Sequence, residues 1–176
     1  FDKMIETEIQ AIDNTITNYE IVGSYRRGAK TSGDIDVIIT SNDASVFGKV
    51  ISRLKSKDII IEILSQGDTK CLVIVKMPGL PYARRVDFMF TSPAEYPFAT
   101  LYFTGSKAFN TTMRSYALKL GLSLNEHGFY YKEKGKEKGG KIDKIFKTEE
   151  SIFESLFLKY KKPIERVDGR AVETTL

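Results

Sequence analysis

Apolar positions along this chain keep two different periods, and each change of period marks a new element. Over residues 2–17, Ile5, Ile9, Ile12 and Ile16 recur at helical spacing among charged neighbours, which predicts an amphipathic helix. Tyr19–Val22 reads as a short strand ending at Gly23-Ser24, and Asp34–Thr40 as the first long strand. Ala44–Ser56 returns to helical spacing, with Val46, Val50, Ile51 and Leu54 on one face. Three β-rich runs follow, Ile59–Leu64, Cys71–Met77 and Arg84–Phe90, separated by Gly67-Asp68 and by Pro78-Gly79-Leu80-Pro81. Beyond Pro93 the helical period dominates. Tyr96–Phe103 is strongly apolar, and Ser106 is a good N-cap. The helix it opens is predicted to bury Phe109, Met113, Ala117 and Leu120 before Gly121 ends it. Leu122–Leu124 and Phe129–Tyr131 predict a small β unit, and a last helix is expected from about Glu149 to Lys159. A helix followed by several strands predicts an α+β fold. Its mixed sheet with flanking helices spans 1–92, and a smaller C-terminal α/β lobe spans 93–176.

Composition narrows the class. The 176 residues fit one ordinary domain or two small lobes, and 41% hydrophobic residues suffice for a core. No run approaches the ~18 consecutive apolar residues of a membrane span, and no charged-then-apolar leader is visible. An intracellular location is therefore expected: the nucleus in a eukaryote, otherwise cytoplasm or a viral setting. The single cysteine, Cys71, excludes internal disulfides and reads as a small core hydrophobe within a strand. The net charge of +4 leans weakly toward a polyanionic partner, and much of the excess lies in 132–141, with five lysines against two glutamates. No extra apolar face is evident, so a monomer is expected.

The chemistry concentrates at one place. In Gly33-Asp34-Ile35-Asp36-Val37, strand alternation puts Asp34 and Asp36 on one side and Ile35, Val37 and Ile39 on the other. Two such carboxylates repel unless a cation sits between them, and a divalent ion suits oxygen donors. Upstream, Gly23-Ser24 offers backbone N–H groups and a hydroxyl beside Arg26 and Arg27, a plausible cradle for phosphate. A two-metal phosphoryl-transfer site wants a third carboxylate brought in by folding. Asp87, mid-strand among Val86, Phe88 and Phe90, is the candidate, and it also suits acceptance of a proton from an attacking hydroxyl. Each piece alone has a plain reading: Asp-x-Asp as a solvated strand edge, Asp87 as the partner of Arg84 or Arg85. All three in order favour chemistry.

Gly23-Ser24-Tyr25-Arg26-Arg27-Gly28 followed by Ser32-Gly33-Asp34-Ile35-Asp36-Val37 resembles the signature of the polymerase beta-like nucleotidyltransferases. Arg85-Val86-Asp87, Leu101-Tyr102-Phe103-Thr104-Gly105-Ser106, Phe109-Asn110, Met113-Arg114 and Leu124-Asn125-Glu126 carry the resemblance on to the family X DNA polymerases. That resemblance implies a DNA-directed DNA polymerase adding dNTPs to a primer 3′ hydroxyl with two Mg²⁺ ions (Mn²⁺ as a substitute), on gapped or primer-template DNA, in repair. It implies that Asp34, Asp36 and Asp87 hold the metals, and that Ser24, Arg27, Ser32 and Gly33 hold the triphosphate. Tyr102, Phe103 and Gly105 would line the sugar pocket, and Asn110 would meet the incoming base. Arg114, Lys107, Arg85 and Glu126 would face the DNA or template side, with Glu126 steadying the helix of Arg114. Lys107 stands where polymerase beta carries an acidic residue, and Met89 where it carries a basic one. The amino-terminal lyase and helix-hairpin-helix modules of relatives are not recognisable, so a palm plus one terminal lobe is expected. The competing readings are a non-polymerase or template-independent nucleotidyltransferase, and a non-catalytic DNA-binding module with a relic site.

Overall fold

The β-rich runs of the first half assemble into one five-stranded sheet in a computed structural model that describes residues 1–12, 18–31, 33–132 and 139–176. Contacts divide the chain into two units, Phe1–Tyr25 with Lys30–Pro93, and Arg26–Ala29 with Ala94–Leu176. The division after Pro93 lies next to the expected break at 92. That Arg26–Ala29 group with the second unit was not anticipated, and it follows from hydrogen bonds of Arg26 and Arg27 described below.

In the first unit β1 (Asn18–Ile21), β2 (Ile35–Thr40), β3 (Ile60–Gln66), β4 (Lys70–Lys76) and β5 (Ala83–Thr91) lie in the order β1-β2-β5-β4-β3. Strands β2 and β5 run parallel and the other neighbours antiparallel, so the sheet is mixed. Val37 and Ile39, Cys71, Val73 and Val75, and Val86 and Phe88 line one face. They pack against Ile5 and Ile9 of α1 (Asp2–Gln10) and Val46, Phe47, Val50, Ile51 and Leu54 of α3 (Ser45–Ser56). Full burial stabilises by roughly 1.5–3 kcal/mol per large apolar side chain, which pins the register. A one-residue slip of β2 would turn Asp36 into this core. Glu8 ties the two helices by accepting from Arg53 Nε at 2.6 Å and Lys57 Nζ at 2.9 Å. The Lys57 hydrogen bond holds the Glu8 carboxyl below its ordinary value, against the opposing effect of burial. The expected helix over 2–17 ends at Gln10, and 13–17 lie outside the described residues. Gly23-Ser24, where the first strand was expected to end, opens a single helical turn, α2 (Gly23–Arg26).

In the second unit α4 (Tyr96–Thr104), α5 (Lys107–Lys119), the hairpin of β6 (Leu122–Asn125) and β7 (Gly128–Tyr131), and α6 (Glu149–Ser155) share a second core. Phe98, Phe109, Phe129, Phe146 and Phe153 dominate it, with Phe98 edge-on to Phe129 at 5.5 Å and to Phe146 at 5.1 Å. Ser106 caps α5 by accepting from the Phe109 N–H at 3.2 Å. Phe109, Met113 and Ala117 are buried, but Leu120 is 41% exposed because α5 stops at Lys119. The last helix ends at Ser155, short of Lys159, where Phe157 adopts a left-handed φ of 56°. The tail then folds back: Lys159 N donates to Glu173 O at 2.8 Å and Thr175 N to Phe157 O at 2.9 Å. Gly169 of this tail lies so close to α5 that a Cβ would meet Thr112 Oγ1 at 2.2 Å. Among the described residues no helix is long and apolar enough to cross a membrane.

Candidate active site

The face of β2 and β5 turned away from the core carries the aspartates. Parallel pairing sets Asp36 directly opposite Asp87, with Asp34 two residues before Asp36. Burial, and then the negative charges of Asp87 and Asp34, push the Asp36 carboxyl above its ordinary range, while Lys70 and Arg85 oppose the shift. Arg85 Nε donates to Asp87 Oδ1 at 3.2 Å, so the structural partner anticipated for Asp87 is present. Gly23 runs tightly past this face. With φ at +67°, a Cβ there would lie 3.3 Å from Asp36 Oδ2. Val22 N also donates to Asp36 O at 2.9 Å. Among the described residues no three Asp, Glu, His or Cys side chains are gathered closely enough to hold a metal ion. The donors nonetheless suit a hard divalent cation, because burial and the neighbouring carboxylates raise Asp36 against the opposing charges of Lys70 and Arg85. Gly33 borders open space, Ser24 lies within α2, and Ser32 is outside the described residues.

The second unit gathers another part of the predicted constellation. An open cleft of about 580 Å³ is lined by Arg27, Tyr102, Phe103, Gly105, Lys107, Asn110 and Arg114, together with Thr111, Ser115 and Leu118. Helical spacing brings Asn110 and Arg114 to this side of α5. Asn110 Nδ2 donates to Tyr102 O at 2.6 Å, and the Arg114 guanidinium stacks over the Tyr102 ring at 5.4 Å. Gly105 has φ at +70°, and a Cβ there would stand 3.1 Å from Arg27 Nη1. Among the described residues Glu126 and Arg114 form no ion pair. Glu126 sits in the β6–β7 turn 3.8 Å from His127 Nε2, because Asn125 Oδ1 accepts from the His127 and Gly128 N–H groups and fixes that turn. His127 places Nδ1 3.1 Å from Glu95 Oε2.

The two arginines beside Gly23-Ser24 part company. Arg27 Nη1 donates to the Thr104 carbonyl at 2.6 Å. Arg26 donates through Nη2 to Glu149 Oε1 at 2.5 Å, and through Nη1 to Glu149 Oε2 at 3.1 Å and Thr104 Oγ1 at 2.9 Å. Arg26 is therefore engaged within the fold rather than offered to phosphate. Glu149 also accepts from Arg166 Nη1 at 2.7 Å, and Arg166 is fully buried. The sequence gives one hint of this cluster: Thr148-Glu149 opens a helix, with Thr148 Oγ1 accepting from Ser151 N at 3.2 Å. Its partners, more than a hundred positions away in the case of Arg26, leave no local signal.

Residues 1–93 match the family model described as DNA polymerase beta palm, and residues 99–167 the one described as DNA polymerase beta thumb. The chain is similar to the DNA polymerase lambda of Rattus norvegicus, 34% identical over 158 residues, covering 82% of this chain and 28% of that protein. It is 28% identical over 174 residues to the DNA polymerase lambda of Arabidopsis thaliana, covering 88% of this chain and 33% of that one. Repair DNA polymerase X of African swine fever virus (isolate Warthog/Namibia/Wart80/1980) is 25% identical over 150 residues, covering 85% of this chain and 82% of the viral protein. The chain thus spans about a third or less of the two lambda polymerases and most of the viral one.

Proposed function

Because this chain belongs to the family X DNA polymerases, we propose that it adds deoxynucleotides to the 3′ hydroxyl of a DNA primer under the direction of a template. Short gaps arising in DNA repair are its proposed substrate, and it works as a monomer. The observation that carries this reading is the parallel register that sets Asp36 opposite Asp87 on the polar face of the sheet. Mutually repelling carboxylates at that position cost stability unless a cation joins them. The repair context is supported by the name of the viral relative.

In this reading Asp34, Asp36 and Asp87 hold two Mg²⁺ ions, or Mn²⁺ in their place, which when bound neutralise charge developing on the phosphoryl oxygens. Asp87 accepts the proton as the primer 3′ oxygen bonds to the α-phosphorus. The bond from that phosphorus to the bridging oxygen breaks, and pyrophosphate leaves. Arg27, steadied on the Thr104 carbonyl, binds the triphosphate together with Ser24, Ser32 and the backbone at Gly33. Tyr102, Phe103 and Gly105 receive the sugar and leave little room for a 2′ hydroxyl. Asn110 reads the minor-groove edge of the incoming base, while Arg114, Lys107 and Arg85 meet the DNA. Glu126 faces the template side from the β6–β7 turn, and the Tyr102 ring supports Arg114. Binding led by phosphate contacts weakens steeply with salt.

The test is insertion on a one-nucleotide-gapped duplex with Mg²⁺, each dNTP supplied separately, for the wild type and Asp87→Ala. Selective insertion of the complementary nucleotide, reduced at least about 10³-fold in the variant, is expected. Insertion of every nucleotide alike would overturn the templated reading. No insertion by a protein that still binds the duplex would overturn polymerase activity for this chain.

A further inference from the structure

The cluster around Glu149 reaches the cleft through a continuous chain of hydrogen bonds. Glu149 grips both nitrogens of the Arg26 fork, and the same Arg26 Nη1 donates to Thr104 Oγ1. Thr104 is fully buried, and its hydroxyl donates in turn to Thr100 O at 2.5 Å, so it has no freedom to follow a moving partner. Its carbonyl accepts from Arg27 Nη1, and a Cβ at Gly105, the next residue, would stand 3.1 Å from that nitrogen. On the far side Glu149 is anchored by Arg166, which donates through Nε to Lys161 O at 2.9 Å and stacks on Phe153 and Tyr160. The same tail holds the next link: Ser106 N donates to Arg166 O at 3.2 Å and Ser106 Oγ to Val167 O at 2.7 Å. Both sides of the Thr104–Ser106 bend are therefore fixed from α6 and the tail.

We propose that Glu149 is a positioning residue: through Arg26 and Thr104 it holds the Arg27 guanidinium at the cleft in one orientation, and thereby sets how tightly a polyphosphate is bound there. The link to nucleotide binding rests on the polymerase reading, whereas the link from Glu149 to Arg27 does not. An arginine is required at 26 because a planar fork serves carboxylate and hydroxyl together, which the single ammonium of a lysine cannot.

The deciding experiment is ¹⁵N NMR of the arginine side chains in the wild type, Arg26→Lys and Glu149→Gln, with the Arg27 signal assigned by its loss in Arg27→Lys. Inorganic tripolyphosphate is titrated on the same signal, and nucleotide KM and kcat are measured on a gapped duplex. Arg26→Lys keeps a cation against Glu149, so it serves if Glu149→Gln does not fold. The expected result is slow guanidinium rotation at Arg27 in the wild type and free rotation in the variants. Tripolyphosphate affinity should fall, and nucleotide KM rise, about tenfold, the loss of one charge-assisted hydrogen bond, with kcat changed far less. An Arg27 signal unchanged in a folded variant overturns the proposal, as does a mobile Arg27 with unaltered tripolyphosphate affinity. A wild type that inserts no nucleotide, with Arg27 released and tripolyphosphate binding weakened in the variants, leaves the positioning role standing and removes the polymerase reading alone.

Discussion

In the first unit Asp36 faces Asp87 across a strand pair and its carboxyl is pushed up by burial and by like charge, whereas in the second unit Glu149 lies between two guanidiniums. Both arrangements withdraw charge from water, which is costly unless opposite charge and hydrogen bonds answer it. The second unit answers most of it internally: Arg26 and Arg166 meet both oxygens of Glu149, and Phe153 and Tyr160 enclose Arg166. Arg166 Nη2 is buried with no hydrogen-bond partner among the described residues. In the first unit Lys70 and Arg85 oppose the rise at Asp36, yet burial and the charges of Asp87 and Asp34 outweigh them. A closed cluster of that kind holds a fold together. A cluster of one sign on a sheet face is poised for a ligand of the other sign, at a cost to the fold that carries it.

Breaking the closed cluster should have the largest effect on stability. Glu149→Ala leaves Arg26 and Arg166 without their carboxylate, a loss of about 3–5 kcal/mol, and should lower the melting temperature by about 10 °C in thermal unfolding. A drop of less than about 2 °C would show that solvent already screens the cluster. In the first unit the sign should reverse. Asp36→Asn removes one of the mutually repelling charges, so the metal-free variant should melt about 2 °C or more above the wild type while primer extension is lost. The smallest effect belongs to Glu8, a carboxylate whose pairing supports a helix contact and no site. Its lowered folded-state value means that the clamp is fully present above the ordinary 4.5 and is lost as the pH falls through the lower value. The melting gap between wild type and Glu8→Gln should be steady near neutral pH and close as the pH drops below 4.5.

What could be read in advance followed from periodicity. Period two in β2, β4 and β5 set which face each residue takes, and so brought Asp36 and Asp87 to one face before any strand was paired. Helical spacing likewise foretold the buried stripe of Phe109, Met113 and Ala117. Where tertiary contacts decide, the pattern failed. Nothing around Phe157 announces a left-handed residue that ends α6, since no glycine stands there. The tail from Leu158 onward has no period and is held by remote partners, such as Glu173 with Lys159 and Lys161. Adjacent arginines looked alike in sequence, yet Arg26 turns to Glu149 and Arg27 to the Thr104 carbonyl. Glu126 lies in the turn that Asn125 fixes, a placement that helical spacing along α5 does not reach.

The most direct test of the contrast between the units is a melting series with and without Mg²⁺ for the wild type, Asp36→Asn and Glu149→Gln. At ten times its dissociation constant a cation that binds only the folded protein stabilises it by about 1.4 kcal/mol, about 3–6 °C here. The account predicts that rise in the wild type and in any folded Glu149→Gln protein, and none in Asp36→Asn. An equal rise in all three, or no rise in the wild type at saturating Mg²⁺, would contradict the assignment of the aspartate face as the cation site.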